Sequence, residues 1–363
     1  MKNEVFRNKV TWFSFGFSLL VIWVHSYNAE LYLGKVPEME VVYRLQHAVG
    51  EGIGQIAVPG FFMISGYLFY RDFTWKRLGE KWQRRIRSVL VPYILWNFLY
   101  YLGYVIGSRL PWMTDVVGKG VIPFGLLTAV DAVINYTYNY VFWYLFQLIL
   151  LILLAPVLYP LLRHRGSRAG LFLLLWWMIA AGETLPLVNT DALLYYSVAA
   201  SLALSQRRWV EEEQDPEAQE SEKRSNDSER AGLGYREGKR VLCGIAFLAA
   251  FVLLYRLGLR MAWIPCFVLC RLLAVAGLWM AVPGRCLPAA RGFMCHNFYL
   301  YGVHFALVRF INKAGIRILP AAPEAAMLLY LLMPVLILMI ANVSGRVLRR
   351  YAPVLWMLLN GGR

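Results

Sequence analysis

Long apolar runs separated by short, mostly basic connections make up nearly the whole chain. Ten runs are long enough, or nearly so, to cross the roughly 30 Å bilayer core, which takes about 20 helical residues. They lie near 10–28, 52–70, 88–107, 140–162, 169–187, 191–205, 241–257, 262–282, 294–312 and 325–345. The sixth is short and predicts a tilted or extended helix. The runs are apolar on all sides, whereas a membrane barrel strand alternates, so they predict helices. The stretch 206–240 is different: rich in Glu, Ser, Gln, Asn and Arg and poor in large apolar side chains. Too little surface can be buried there to offset chain entropy, which predicts a disordered cytoplasmic linker. The expected organisation is one membrane domain with six helices in 1–205, the linker 206–240, and four helices in 241–363. No internal repeat stands out, which weighs against a transporter built from inverted repeats.

Composition agrees with that pattern. Of 363 residues, 59% are hydrophobic and 16% charged, against about 25% charged in soluble domains. An ordinary soluble enzyme, a disordered chain and a collagen are excluded. The net charge of +15 comes from 37 Lys and Arg against 22 Asp and Glu. In a membrane protein such an excess marks the cytoplasmic loops, so no nucleic-acid partner is implied. With the N-terminus inside, the inner segments hold 27 Lys and Arg and the outer ones 8, while Arg271 and Arg309 fall within spans. The expected fold is therefore all-α and integral to the cell membrane, with ten transmembrane helices and both termini cytoplasmic. Lys2, Arg7 and Lys9 precede the first run, which ends in His25-Ser26-Tyr27-Asn28 without a small-x-small cleavage site. It reads as a retained helix. The five cysteines are odd in number and lack metal-type spacing. Neither a metal nor a disulfide framework is expected, and Cys266 and Cys270 read as packing residues.

Ionisable side chains inside spans are costly and point to function. His25, Arg271, His304 and Arg309 are such cases, with Glu183 near the end of the fifth run. At 1.5 Å per residue, His25 lies roughly 22 Å from the inner edge and His304 about 15 Å deep. A histidine carries protons near neutral pH and can activate a hydroxyl. The bland alternative is a histidine that only hydrogen-bonds a neighbour, as Tyr301 would allow for His304. Arg271 and Arg309 suit snorkelling, pairing with Glu183 or backbone carbonyls, or holding a phosphate or acyl carbonyl. Seven cations, Arg71, Lys76, Arg77, Lys81, Arg84, Arg85 and Arg87, separate the second and third runs. Topology and anionic lipid explain most of them. Arg84 and Arg87, three residues apart, share a helix face on which two guanidiniums can grip a phosphate.

Five stretches together resemble the acyltransferase 3 family of membrane enzymes. They are Leu19-Leu20-Val21-Ile22-Trp23-Val24-His25-Ser26, Val58-Pro59-Gly60-Phe61-Phe62-Met63-Ile64-Ser65-Gly66-Tyr67-Leu68, Arg84-Arg85-Ile86-Arg87-Ser88-Val89-Leu90-Val91-Pro92-Tyr93, Phe142-Trp143-Tyr144-Leu145 and Asn297-Phe298-Tyr299-Leu300-Tyr301-Gly302-Val303-His304. The resemblance implies transfer of an acyl group, commonly acetyl, from cytosolic acyl-CoA to a hydroxyl of a cell-surface glycan or related acceptor. The coenzyme is a cosubstrate, and no permanently bound cofactor is implied. The family's first-span histidine maps to His25, and its Arg-x-x-Arg to Arg84 and Arg87. Eleven residues before that histidine many members carry an arginine. This chain has Ser14 there, which supplies neither the charge nor the fork of donors.

These residues suggest a division of labour. Arg84 and Arg87 dock the coenzyme phosphates, and the thioester arm enters near Ser65 and Gly66, where small residues let backbones approach or leave room for a ligand. His25 acts as general base, with His304 as a second catalytic candidate. Tyr67, Arg309 or Arg271 would contact substrate or the developing oxyanion. The competing reading is a transporter or flippase for a lipid-linked sugar or small metabolite, because intramembrane His and Arg also suit a permeation path.

Overall fold

The computed structural model describes residues 2–34, 36, 38–211 and 227–362. Its principal helices are α1 (Lys2–His25), α2 (Met39–His47), α3 (Ala57–Tyr70), α4 (Leu78–Arg85), α5 (Val91–Gly107), α6 (Leu126–Ile134), α7 (Trp143–Leu153), α8 (Ala155–Arg163), α9 (Arg165–Ala181), α10 (Thr190–Ser205), α11 (Arg207–Val210), α12 (Asp227–Met261), α13 (Ile264–Ala281), α14 (Asn297–Ile318), α15 (Pro323–Tyr351) and α16 (Pro353–Leu359). No strand occurs among the described residues.

Among the described residues, six helical stretches are long and apolar enough to cross a membrane: Glu4–Tyr32, Met39–Tyr70, Trp75–Gly107, Glu237–Met261, Ile264–Ala281 and Pro323–Tyr351. A seventh is added if α7 and α8, bent by 66°, form one span. The bend falls just before Pro156, which has no N–H to offer the carbonyl four residues back and whose ring crowds it. The other three expected runs are also helical. α9 has 17 residues and α10 has 16, and α14, with 22, carries His304, Arg309, Lys313 and Arg317. α9 stops at Gly182, whose φ of +73° needs a residue without a Cβ. Glu183 thus lies beyond the helix and exposed, not inside a span. Of the expected linker, residues 212–226 lie outside the described residues. Its flanks are helical, in α11 and in the start of α12.

The chain forms two compact units. Unit 1 comprises Met1–Phe17, Ile56–Trp75 and Leu150–Met294, and unit 2 comprises Ser18–Gln55, Lys76–Ile149 and Cys295–Arg363. In unit 1, α10 is buried along most of its length because Ala, Ser and Thr dominate it. Asn189 caps it, its side chain accepting from the Ala192 amide at 2.8 Å. A Cβ on Gly66 of α3 would lie 2.5 Å from the Tyr196 carbonyl oxygen of α10. That glycine therefore permits close helix approach. α12 and α13 meet the same way, a Cβ on Gly244 falling 2.5 Å from the Ala281 amide nitrogen. Beside them a carboxylate gathers cations. Glu211 accepts from Tyr67 Oη (2.8 Å), Arg71 Nη2 (2.6 Å) and Arg207 Nε (3.0 Å), while Arg207 also pairs with Asp72.

In unit 2 the segment after α1 is fixed by a buried amide pair. Gln46 Oε1 accepts from the backbone amides of Asn28 (3.1 Å) and Ala29 (3.2 Å), and Gln46 Nε2 donates to Asn28 Oδ1 at 2.7 Å. Asn28 Nδ2 in turn donates to the Ala326 carbonyl of α15 at 3.0 Å. Ala29, Tyr32, Met39, Val42 and Ala326 form the apolar core around this knot.

Candidate active site

The first helix ends on His25, and backbone carbonyls at and just past its end accept hydrogen bonds. Ser26 Oγ donates to the Ile22 carbonyl at 2.5 Å. Asn312 of α14 donates through Nδ2 to the carbonyls of Ser26 (3.3 Å) and Tyr27 (3.1 Å). These bonds fix where the chain leaves the helix, and with it the position of the imidazole. His304 and Asn312 stand eight residues apart, two turns along one face of α14.

A helical turn at Tyr140–Phe142, following Asn139, brings the Tyr140 hydroxyl to 3.1 Å from His25 Nδ1. The His25 ring centre lies 5.5 Å from that of His304, 5.7 Å from Phe305 and 5.8 Å from Tyr140. His304 is 1% exposed. Its Nδ1 sits 2.6 Å from the Tyr301 carbonyl oxygen, which can only accept, so Nδ1 carries the hydrogen. The neutral ring then presents a lone pair at Nε2, which has no partner among the described residues. One turn and a bit further on, Arg309 donates to the Tyr104 hydroxyl, with its guanidinium 5.8 Å from the Phe305 ring centre.

α5 pins this part of α14. Tyr100 Oη donates to the Gly302 carbonyl (3.0 Å) and accepts from the Ala306 amide (3.1 Å). A Cβ on Gly302 would fall 2.2 Å from the Trp96 ring, which is itself held by a bond from its Nε1 to the Leu359 carbonyl at 3.0 Å. Gly302→Ala is expected to destabilise the protein by about 1–3 kcal/mol through overpacking. The check is a thermal melt in detergent, with Gly292→Ala as control, since a Cβ there meets nothing within 4 Å.

Other buried polar atoms lie on the segments that carry or adjoin the histidines. Trp23 Nε1, both amide atoms of Asn139 and Asn312 Oδ1 have no partner among the described residues. Such atoms cost free energy unless something polar meets them.

The sequence candidates distribute unevenly. His25, His304 and Arg309 come together in unit 2. Arg84 and Arg87 also belong to unit 2 and are exposed. Arg84 pairs with Glu80, and Arg87 sits in the wider turn Ile86–Leu90 that joins α4 to α5. From Arg87 to Tyr104 the same helical stretch runs 17 residues, about 25 Å. Ser65, Gly66, Tyr67 and Arg271 belong to unit 1. There Gly66 packs on Tyr196, Tyr67 bonds Glu211, and Arg271 is hydrogen-bonded to Tyr195 beside Asp191, not Glu183. Unit 1 also holds an open apolar pocket lined by Phe6, Phe13, Met63, Tyr67, Trp209 and Trp279 among others, with no histidine in its wall. Tyr140, Asn139, Asn312 and Tyr104 escaped the reading of the sequence. The eight-residue spacing from His304 to Asn312 was a usable signal, whereas one tyrosine among 22 was not.

A family model described as an acyltransferase domain, that of the acyltransferase 3 family, matches residues 16–359. The chain belongs to the acyltransferase 3 family. No curated protein and no solved structure gives a significant match. The matched range contains all five stretches quoted above and the His25, His304, Arg84 and Arg87 positions. Ser14 precedes it. In this acyltransferase Arg309, held by Tyr104, lies over the Phe305 ring that packs against His25.

Proposed function

We propose that this membrane acyltransferase moves an acyl group, acetyl in the simplest case, from cytosolic acyl-CoA to a hydroxyl of a cell-surface glycan or related acceptor. The observation that carries this reading is the pair of imidazoles, His25 and His304, with His304 Nε2 lacking a partner among the described residues. Proton transfer between positioned groups is what alcohol acylation requires. The acceptor's O–H bond breaks as its oxygen bonds the thioester carbonyl carbon. The imidazole pair takes the proton. When the C–S bond breaks, the thiolate recovers a proton as free coenzyme thiol. The topology that fits the charge bias has ten spans and both termini cytoplasmic, with α7–α8 taken as one bent span and α9, α10 and α14 added to the six most apolar ones. Arg84 and Arg87 then lie at the cytoplasmic rim, where two guanidiniums suit the coenzyme phosphates. The thioester must travel about 25 Å along α5 to reach the histidines.

The experiment is transfer of radiolabel from [¹⁴C]acetyl-CoA by the purified full chain in proteoliposomes to cell-surface glycans of the source organism. Label appearing as alkali-labile ester supports the reading. Translocation of a lipid-linked sugar without consumption of acetyl-CoA contradicts it and favours transport. Arg84→Gln and Arg87→Gln are each expected to raise KM for acetyl-CoA about tenfold or more, from about 1.5–3 kcal/mol per charge-assisted bond, with a smaller change in kcat. An unchanged KM in the double variant removes both arginines from the donor site.

A further inference from the structure

The two histidines are not equivalent, because their partners differ in kind. A carbonyl oxygen only accepts, so the Tyr301 carbonyl assigns the hydrogen of neutral His304 to Nδ1 and leaves Nε2 as a lone pair. That lone pair is buried and has no donor among the described residues. The group that faces His25 Nδ1 is instead a phenol, Tyr140, at 3.1 Å. A phenolic O–H donates more strongly than its oxygen accepts. With Tyr140 donating, Nδ1 is the acceptor and the hydrogen of neutral His25 sits on Nε2. The rings lie 5.5 Å apart between centres and are tilted by 40°. At that separation the two rings touch, so a reacting group can meet both only from one side and not between them.

We propose that His304, not His25, is the general base, and that His25 is the hydrogen-bond donor to the oxyanion. Tyr140 is a positioning residue that sets the His25 tautomer. The assignment rests on the acyl-transfer reading above and divides its chemistry between the two rings. The acceptor hydroxyl donates to His304 Nε2, satisfying the orphaned lone pair, and loses its proton there as its oxygen attacks the thioester carbonyl. The carbonyl oxygen gains negative charge and is met by His25 Nε2–H. When the C–S bond breaks, the oxyanion collapses to the ester carbonyl. His304 returns its proton to the leaving thiolate, and both rings recover their starting tautomers. The Tyr301 carbonyl then has a further role. It accepts from Nδ1–H throughout, and so steadies His304 while the ring is protonated.

Glutamine separates the two roles, since its amide N–H can stand where an imidazole Nε2–H stood, but it cannot take a proton. In the proteoliposome assay with [¹⁴C]acetyl-CoA and source-organism glycans, His25→Gln is expected to keep kcat within about tenfold of wild type, while His25→Ala loses about 100-fold or more. His304→Gln is expected to lose about 100-fold or more, as much as His304→Ala. Tyr140→Phe is expected to lower kcat several-fold with KM for acetyl-CoA unchanged, and Tyr140→His, which restores a donor, to recover part of the loss. Size-exclusion elution and thermal melts matching wild type show that each variant is folded. Loss with His25→Gln and retention with His304→Gln returns the base role to His25 and overturns the assignment. Equal loss in both glutamine variants overturns it as well. A wild-type protein that transfers no label to any glycan instead defeats the acyl-transfer reading itself, before the variants are compared.

Discussion

Replacing His25 and His304 together by alanine is expected to lower acyl transfer by about 10²–10⁴-fold, the range that positioned proton transfer contributes. The double variant is expected to be little worse than the more damaging single one. Groups that act together in one chemical step fail as a unit, so their losses do not add. The measurement is initial rate of ester formation from labelled acetyl-CoA, on protein whose insertion and melting temperature match wild type. Retention of more than about a tenth of wild-type activity in the double variant would place the chemistry elsewhere. Both side chains pack against aromatic rings, His25 on Phe305 and Tyr140, and His304 on Tyr301. Alanine leaves small cavities there, so His25→Asn with His304→Asn is the matching test that keeps most of the volume.

The second large effect is structural. Glu211 is 2% exposed in its side chain and gathers Tyr67, Arg71 and Arg207 in unit 1. Glu211→Ala leaves the Arg71 guanidinium, whose side chain is 16% exposed, without its carboxylate. Breaking a buried pair by removing one partner costs about 3–5 kcal/mol. Arg207 is 36% exposed, so its arm of the cluster contributes less. The expected outcome is a strongly lowered melting temperature in detergent, with Glu211→Gln intermediate because the amide still accepts from Tyr67. Melting temperatures of Glu211→Ala and wild type that agree within error would show that the cluster carries no net stability.

The sequence exposed the histidines because a polar residue within an apolar run has few structural reasons to be there. The helices followed for the same reason: unbroken apolar runs in lipid must satisfy their backbone internally. The lengths were less accessible. Pro156 bends the fourth run by 66°, and Gly182 ends the fifth early, so that Glu183 falls outside the helix. Both residues were visible, yet hydropathy averages across them. The first flank of the polar stretch buries Val210, with Glu211 buried just after it, which composition cannot signal. Tyr140 is illegible for a stronger reason. Its bond to His25 joins positions 115 apart through a single helical turn. Asn139, with 0% exposure, looks from sequence like an ordinary loop residue. Ser65 and Gly66 carried a motif, but motif and contact differ. Gly66 meets the Tyr196 carbonyl, so its lack of a side chain serves the packing of α3 on α10.

The account stands on acyl transfer at the imidazole pair of unit 2, supplied by a coenzyme held at Arg84 and Arg87. Its most direct test is an experimental structure of the full chain with a non-hydrolysable acetyl-CoA analogue bound. The account predicts phosphate oxygens within hydrogen-bond distance of Arg84 and Arg87, and the carbonyl oxygen of the analogue against His25 Nε2. An analogue bound away from those arginines, with its carbonyl meeting neither His25 nor His304, contradicts it.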